Sequence, residues 1–109
     1  PKIMQKTTEQ TKKVSIYFAV IEWHKVEQLN QIKQTTCSIF GGYTLSENFG
    51  GWTSDNNELM QETSYKLEIF TNKEDIYTEN LVQHICKIAK QCEVYSTTEK
   101  ITLTKTINS

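Results

Sequence analysis

Apolar residues alternate through the first long segment of the chain. Val14, Ile16, Phe18 and Val20 fall at every second position, with Tyr17, Ala19 and Ile21 between them. Period-two patterning predicts a strand over 13–23, and apolar character on both faces predicts a central one. Val26, Leu29 and Ile32 then recur every third position among polar residues, which predicts a helix from His24 to Thr36 with one apolar stripe. Ile39, Phe40 and the stretch Gly41–Gly42–Tyr43–Thr44–Leu45 read as a second strand entered through a glycine pair. Ser46 to Asn57 reads as a long loop carrying the pair Gly50–Gly51. A third strand is predicted over Glu62–Phe70, where Tyr65, Leu67 and Ile69 alternate with Lys66 and Glu68, and 71–75 is a connection. A second helix follows from Thr78 to Gln91, with Leu81, Ile85, Ile88, Ala89 and Cys92 on one face. Thr78 suits its N-cap, while Glu79 in the first turn and Lys87 and Lys90 in the last suit its dipole. Val94 to Ser96 opens a last strand, either extended or paired with Ile101–Thr106 through a turn at Thr97–Lys100.

The element order β-α-β-β-α-β is that of an α+β, ferredoxin-like fold: an antiparallel sheet with both helices on one face. Residues 13–109 form the expected domain. Pro1–Lys13 is polar, carries four lysines and has no apolar segment; it is unlike a secretory signal, and 1–12 is expected to be a flexible arm. A core this small is marginal, and an open sheet face showing Tyr17, Ile21 or Phe70 gains from a partner, so an oligomer is expected, with a homotrimer first.

Charge narrows the partners. All 12 basic residues are lysine, against 13 acids, for a net charge of −1. Without a basic excess, or arginine forks to grip phosphate, nucleic-acid binding is not expected. The longest apolar run, Ile16–Ile21, is far short of the ~18 residues a membrane helix needs. Cys37, Cys86 and Cys92, at irregular spacing, make no disulfide framework; they read as half-buried structural thiols in a cytoplasmic protein. With His24 and His84 they give no zinc spacing, so no metal or cofactor is expected.

All four glycines lie between positions 41 and 51, interleaved with aromatics: Phe40–Gly41–Gly42–Tyr43–Thr44, then Phe49–Gly50–Gly51–Trp52. Glycine lets a backbone approach a ligand closely, and neighbouring aromatics can hold a heterocycle or face a cation. Glycine pairs also serve turns and bulges, and such aromatics can plug a core edge; both readings stand. The spacing fits neither a phosphate-binding loop nor a dinucleotide fingerprint. Cys86 and His84, two apart on a helix, point away from each other and make no nucleophile–base pair. His24 reads as a surface or capping residue.

The two glycine-aromatic stretches, followed by Glu62 ahead of an alternating strand, resemble the small phage enzymes that degrade S-adenosylmethionine. The likeness covers about 14–95, and its specific part is 40–70. Similar loops occur in small trimeric ferredoxin-like proteins related to the PII signalling fold. The resemblance implies a homotrimer in the host cytoplasm with sites between subunits, acting against host restriction. It implies cleavage of S-adenosylmethionine to methylthioadenosine, as a lyase that closes homoserine lactone or as a hydrolase. That substrate carries its own leaving group and its own carboxylate nucleophile, so positioning alone can supply roughly 7–11 kcal/mol. Glu62 matches the family's functional acidic position and is assigned to ribose or cation binding at the catalytic site. Where some members have two adjacent acids, this chain has Gln61–Glu62, which puts any role for a carboxylate pair in doubt. Gly41, Gly42, Tyr43 and Thr44 would wall the adenosine pocket, and Phe49 or Trp52 would stack on adenine or face the sulfonium. The competing readings are a non-catalytic trimeric module that binds a nucleotide or other small molecule, and a structural or inhibitory protein using exposed aromatics.

Overall fold

The computed structural model describes residues 4–90 and 93–108. Strand β1 (Met4–Phe18) leads through a short 3-10 turn (Glu22–His24) into helix α1 (Lys25–Phe40). Strands β2 (Thr44–Thr53) and β3 (Leu59–Thr71) form a hairpin; helix α2 (Asp75–Ala89) and strand β4 (Tyr95–Asn108) follow. The sheet order is β2-β3-β1-β4, with every neighbouring pair antiparallel. β1 is thus central, as its two-faced apolar pattern predicts, and the chain has the ferredoxin-like α+β fold.

One face of the sheet meets the helices. Val14, Ile16 and Phe18 of β1 and Tyr65, Leu67 and Ile69 of β3 are buried against Leu29 and Ile32 of α1 and Leu81 and Ile85 of α2. Complete burial of a side chain such as Leu81 or Ile85 contributes about 1.5–3 kcal/mol. Val26, counted in the α1 stripe from its spacing, is 70% exposed; the buried positions of that helix are Gln28, Leu29, Ile32 and Thr36. Gln28 is buried because it clasps two elements. Its Oε1 accepts from the Ile21 N–H at 2.9 Å, and its Nε2 donates to the Ile88 carbonyl at 2.8 Å.

Several boundaries differ from the sequence expectation. Residues 4–12, expected as a flexible arm, continue β1 and pair in register with β4 from Met4↔Asn108 to Lys12↔Lys100. Uninterrupted pairing along both polar strands satisfies the backbone groups that face the partner strand, and the outward-facing groups of this exposed ribbon are left to solvent, so no apolar face is needed for them to be strands. β4 runs straight through Thr97–Lys100, with no turn there. The ribbon projects from the body, giving principal extents of 62 × 26 × 25 Å. α1 continues past Thr36 to Phe40, and Gly41, at φ 85°, caps it in the left-handed conformation rather than opening a strand. The expected loop 46–57 is mostly β2. Its turn is closed by Asn57 N–H to Ser54 O and Ser54 N–H to Glu58 O, both 2.9 Å, with Asn57 at φ 60°. α2 begins at Asp75 with Glu74 as N-cap, four residues before the expected cap Thr78. There Lys12 holds Asp75 at 2.8 Å and the Lys73 carbonyl at 2.7 Å. Gln91 and Cys92 lie outside the described residues. Cys37 is exposed rather than half-buried, and Cys86 is partly buried.

Candidate functional site

The β2–β3 register decides what Glu62 can meet. Gly50 pairs with Glu62, Trp52 with Met60 and Phe49 with Thr63. Side chains alternate along a strand, so Glu62, Trp52 and Met60 share the open face of the sheet while Phe49 and Leu59 share the helix side. Phe49 and Trp52, left as alternatives by the sequence, therefore stand on opposite faces, 84% and 49% exposed. Gly51 is favoured by the chain itself: a Cβ there would sit 3.0 Å from the Met60 carbonyl oxygen, tight enough that the facing strand would have to give way slightly.

Glu62 lies at the junction of two open clefts. One, of about 520 Å³, is walled by Phe49, Gly50, Gly51, Leu59 and Gln61. The other, of about 490 Å³, is walled by Tyr17, Ser64, Lys90, Glu93 and Tyr95 at the end of the sheet where α2 stops. Tyr17 and Tyr95 face each other across β1 and β4. Tyr95 donates its hydroxyl hydrogen to Glu93 Oε2 at 2.8 Å. That hydrogen bond, and then the charge of Glu93, raise the Tyr95 phenol above its ordinary pKa. Lys66 places its ammonium 5.9 Å from the centre of the Tyr17 ring. The second cleft thus combines two carboxylates, an ammonium and two phenols.

The Gly41–Thr44 stretch is elsewhere. Gly42, Tyr43 and Thr44 wall a third cleft of about 300 Å³ with Phe40, Glu68 and Phe70. Thr44 is six residues along β2 from Gly50, ~20 Å at the rise of an extended strand. Within one chain Phe49 and Glu62 line one cleft from opposite faces of the hairpin, and both are separated from Gly41, Gly42, Tyr43 and Thr44. Sequence reasoning missed Ser64, Lys90 and Glu93 and treated Tyr17 and Tyr95 as sheet residues only. Tyr17, Ser64 and the segment from Lys90 to Tyr95 are far apart along the chain, and no local pattern marks them as neighbours.

Other candidates are engaged structurally. His84 Nε2 lies 2.8 Å from Thr35 Oγ1, joining the two helices. His24 occupies the N-cap of α1 without a side-chain capping bond. Among the described residues no three His, Cys, Asp or Glu side chains come together as a metal site, and no helix is long and apolar enough to cross a membrane.

No family model matches the chain, and no curated protein matches its sequence. Solved structures do match. A phage SAM lyase in its apo state is similar with a TM-score of 0.62 and 16% identity, over 92% of this chain and 90% of that one. A phage SAM lyase in complex with S-methyl-5'-thioadenosine gives 0.58 and 18%, over 91% and 90%. CutA from Synechococcus elongatus PCC7942 gives 0.63 and 9%, over 91% and 85%, and the GlnK–ATP complex of B. subtilis gives 0.54 and 18%, over 84% and 83%. The chain spans 26% of a Bacillus cereus protein related to NIF3, at TM-score 0.59 and 12% identity. At these identities the likenesses establish the fold that this chain shares with SAM lyase, CutA and PII-type proteins.

Proposed function

We propose that the chain is an S-adenosylmethionine lyase that acts as a homotrimer. The observation that carries this reading is Glu62 between two clefts, one beside Phe49, Leu59 and the Gly50–Gly51 backbone and one of mixed charge beside Lys90 and Glu93. An adenosyl group suits the first, a methionine tail the second, and Glu62 suits the ribose hydroxyls or the sulfonium between them. In the reaction a substrate carboxylate oxygen attacks its own γ-carbon. The carbon–sulfur bond breaks, its electron pair stays on sulfur, and neutral methylthioadenosine leaves with homoserine lactone. No proton need be transferred, so the protein's task is to fold the tail, exclude water and place negative charge near the sulfonium.

Oligomerisation completes the proposal. The Gly41–Thr44 cleft and the Glu62 clefts are far apart in one chain, and packing between copies would bring them together. The outer ribbon offers a surface for it: Ile101, Leu103 and Ile107 of β4 share one face, while Lys100, Thr102, Thr104 and Thr106 share the other. Phage origin, action against restriction and a host-cytoplasmic setting belong to the same reading.

Purified protein incubated with S-adenosylmethionine and sampled early by liquid chromatography and mass spectrometry tests it. Methylthioadenosine with homoserine lactone supports the lyase, whereas homoserine from the first time point indicates hydrolysis. Glu62→Gln should reduce turnover by at least about tenfold, the scale of one charge-assisted interaction, with the oligomer intact. Intact substrate held tightly by the protein would favour the non-catalytic binding module, and intact substrate left unbound would end both readings.

A further inference from the structure

The two helices end differently. The left-handed position after α1 is Gly41, at φ 85°, the residue this conformation favours. The equivalent position after α2 is Lys90, at φ 54° and ψ 42°. A side chain in that conformation is strained relative to glycine. Lys90 is also exposed, so it gains no burial in return. It lines the mixed-charge cleft with Glu62, Glu93 and Tyr95, and it forms no ion pair among the described residues. An ammonium and carboxylates lining one cleft, with the ammonium in no ion pair among the described residues, suit recognition of a zwitterion.

We propose that Lys90 and Glu93 form an α-amino-acid subsite: the Lys90 ammonium pairs with the ligand's α-carboxylate, and the Glu93 carboxylate with its α-ammonium. Glu93 has acceptor capacity for this beyond the one hydrogen bond it takes from Tyr95. The subsite rests on reading the adjoining cleft as the seat of an adenosyl group. In that setting Lys90 is a specificity-determining residue, separating adenosyl amino acids from adenosyl thioethers without the amino-acid portion. It also holds the carboxylate that the lyase reaction uses as nucleophile.

The test is isothermal titration of the intact protein with S-adenosylhomocysteine and with methylthioadenosine, for the natural chain and for Lys90→Gly, together with thermal unfolding of both. Both ligands carry a neutral thioether and adenosine, and only the first has the amino acid. The natural chain should prefer S-adenosylhomocysteine by about tenfold, the scale of one charge-assisted pair. Lys90→Gly should lose that preference, keep its affinity for methylthioadenosine, and unfold about 4 °C higher because the strain is relieved. A preference that survives in Lys90→Gly overturns the subsite. Equal affinity of the natural chain for both ligands also overturns it, and leaves the adenosyl reading standing. Binding of neither ligand defeats that reading and the subsite with it. A variant that loses both ligands while unfolding lower overturns the assignment as well, because Lys90 would then be holding the fold.

Discussion

Gln28→Ala tests how the cleft is held. Gln28 is 7% exposed. Its amide joins the Ile21 N–H, just after β1, to the Ile88 carbonyl near the end of α2, at 2.9 and 2.8 Å. These two segments lead directly from Tyr17 and into Lys90, on opposite walls of the mixed-charge cleft. Alanine removes both hydrogen bonds at once and leaves a donor and an acceptor without partners. A fully buried orphan costs about 1–3 kcal/mol, and Ile21 and Ile88 are only partly buried, so the lower end applies to each. The expected loss is therefore about 2 kcal/mol, a fall of roughly 8 °C in Tm for a chain of this size. Thermal unfolding followed by circular dichroism measures the fall, and urea titration checks it with an independent slope. The same variant should bind nucleoside ligands more weakly, since the two walls are no longer tied together. A Tm within about 2 °C of the natural chain, below even a single orphan's cost, would refute the clasp.

Tyr65→Phe should change stability little, because the ring keeps its stacking on Phe18 at 5.9 Å and the buried hydroxyl gives up only its interaction with the Lys25 ammonium, the largest cause of that lysine's raised pKa; a clear fall in the urea midpoint would show a stronger bond at that hydroxyl in solution. Gly51→Ala should loosen the β2–β3 hairpin through its clash with the Met60 carbonyl, whereas Gly50→Ala, with open space around its Cβ, should not; amide hydrogen exchange near Thr53 and Leu59 distinguishes them. The hydrogen bond from Lys12, then its charge, hold the Asp75 carboxyl below its ordinary pKa of 3.8. That contribution is present above 3.8 and lost as pH falls through the lowered value. The stability difference between the natural chain and Lys12→Met should therefore be largest at neutral pH and narrow in strong acid, where only the bond from Lys12 to the Lys73 carbonyl remains; a difference constant with pH would remove the ion pair as its cause.

Much of the core is legible from local chemistry. The period-two runs 14–18 and 65–69 could bury one face only as strands, and Leu81, Ile85 and Ala89 could do so only as a helix. Val26 shows where spacing misleads: it is three residues from Leu29, yet the sheet lies under Gln28, Leu29 and Ile32. The polar ends of β1 and β4 carry no apolar signal. Their strands exist because they have each other as partners, which no local window contains. Gly41–Gly42 resembled a strand entry because a glycine pair marks a break without saying which element it ends.

The candidate site divides the same way. Glu62, Phe49 and the glycine pair beside them stand out in the sequence because they are clustered and chemically distinctive. Their sidedness does not, since whether Phe49 or Trp52 shares a face with Glu62 depends on the hairpin register. Lys90 and Glu93 resemble ordinary surface charges along the chain. Only the antiparallel return of β3 and β4 to β1, with α2 ending above that edge, sets them beside Glu62. Composition and periodicity act over a few residues and determine which elements form and which faces are apolar. The clefts arise from residues 17, 62 and 95 meeting across strands, and long-range pairing alone brings such positions together.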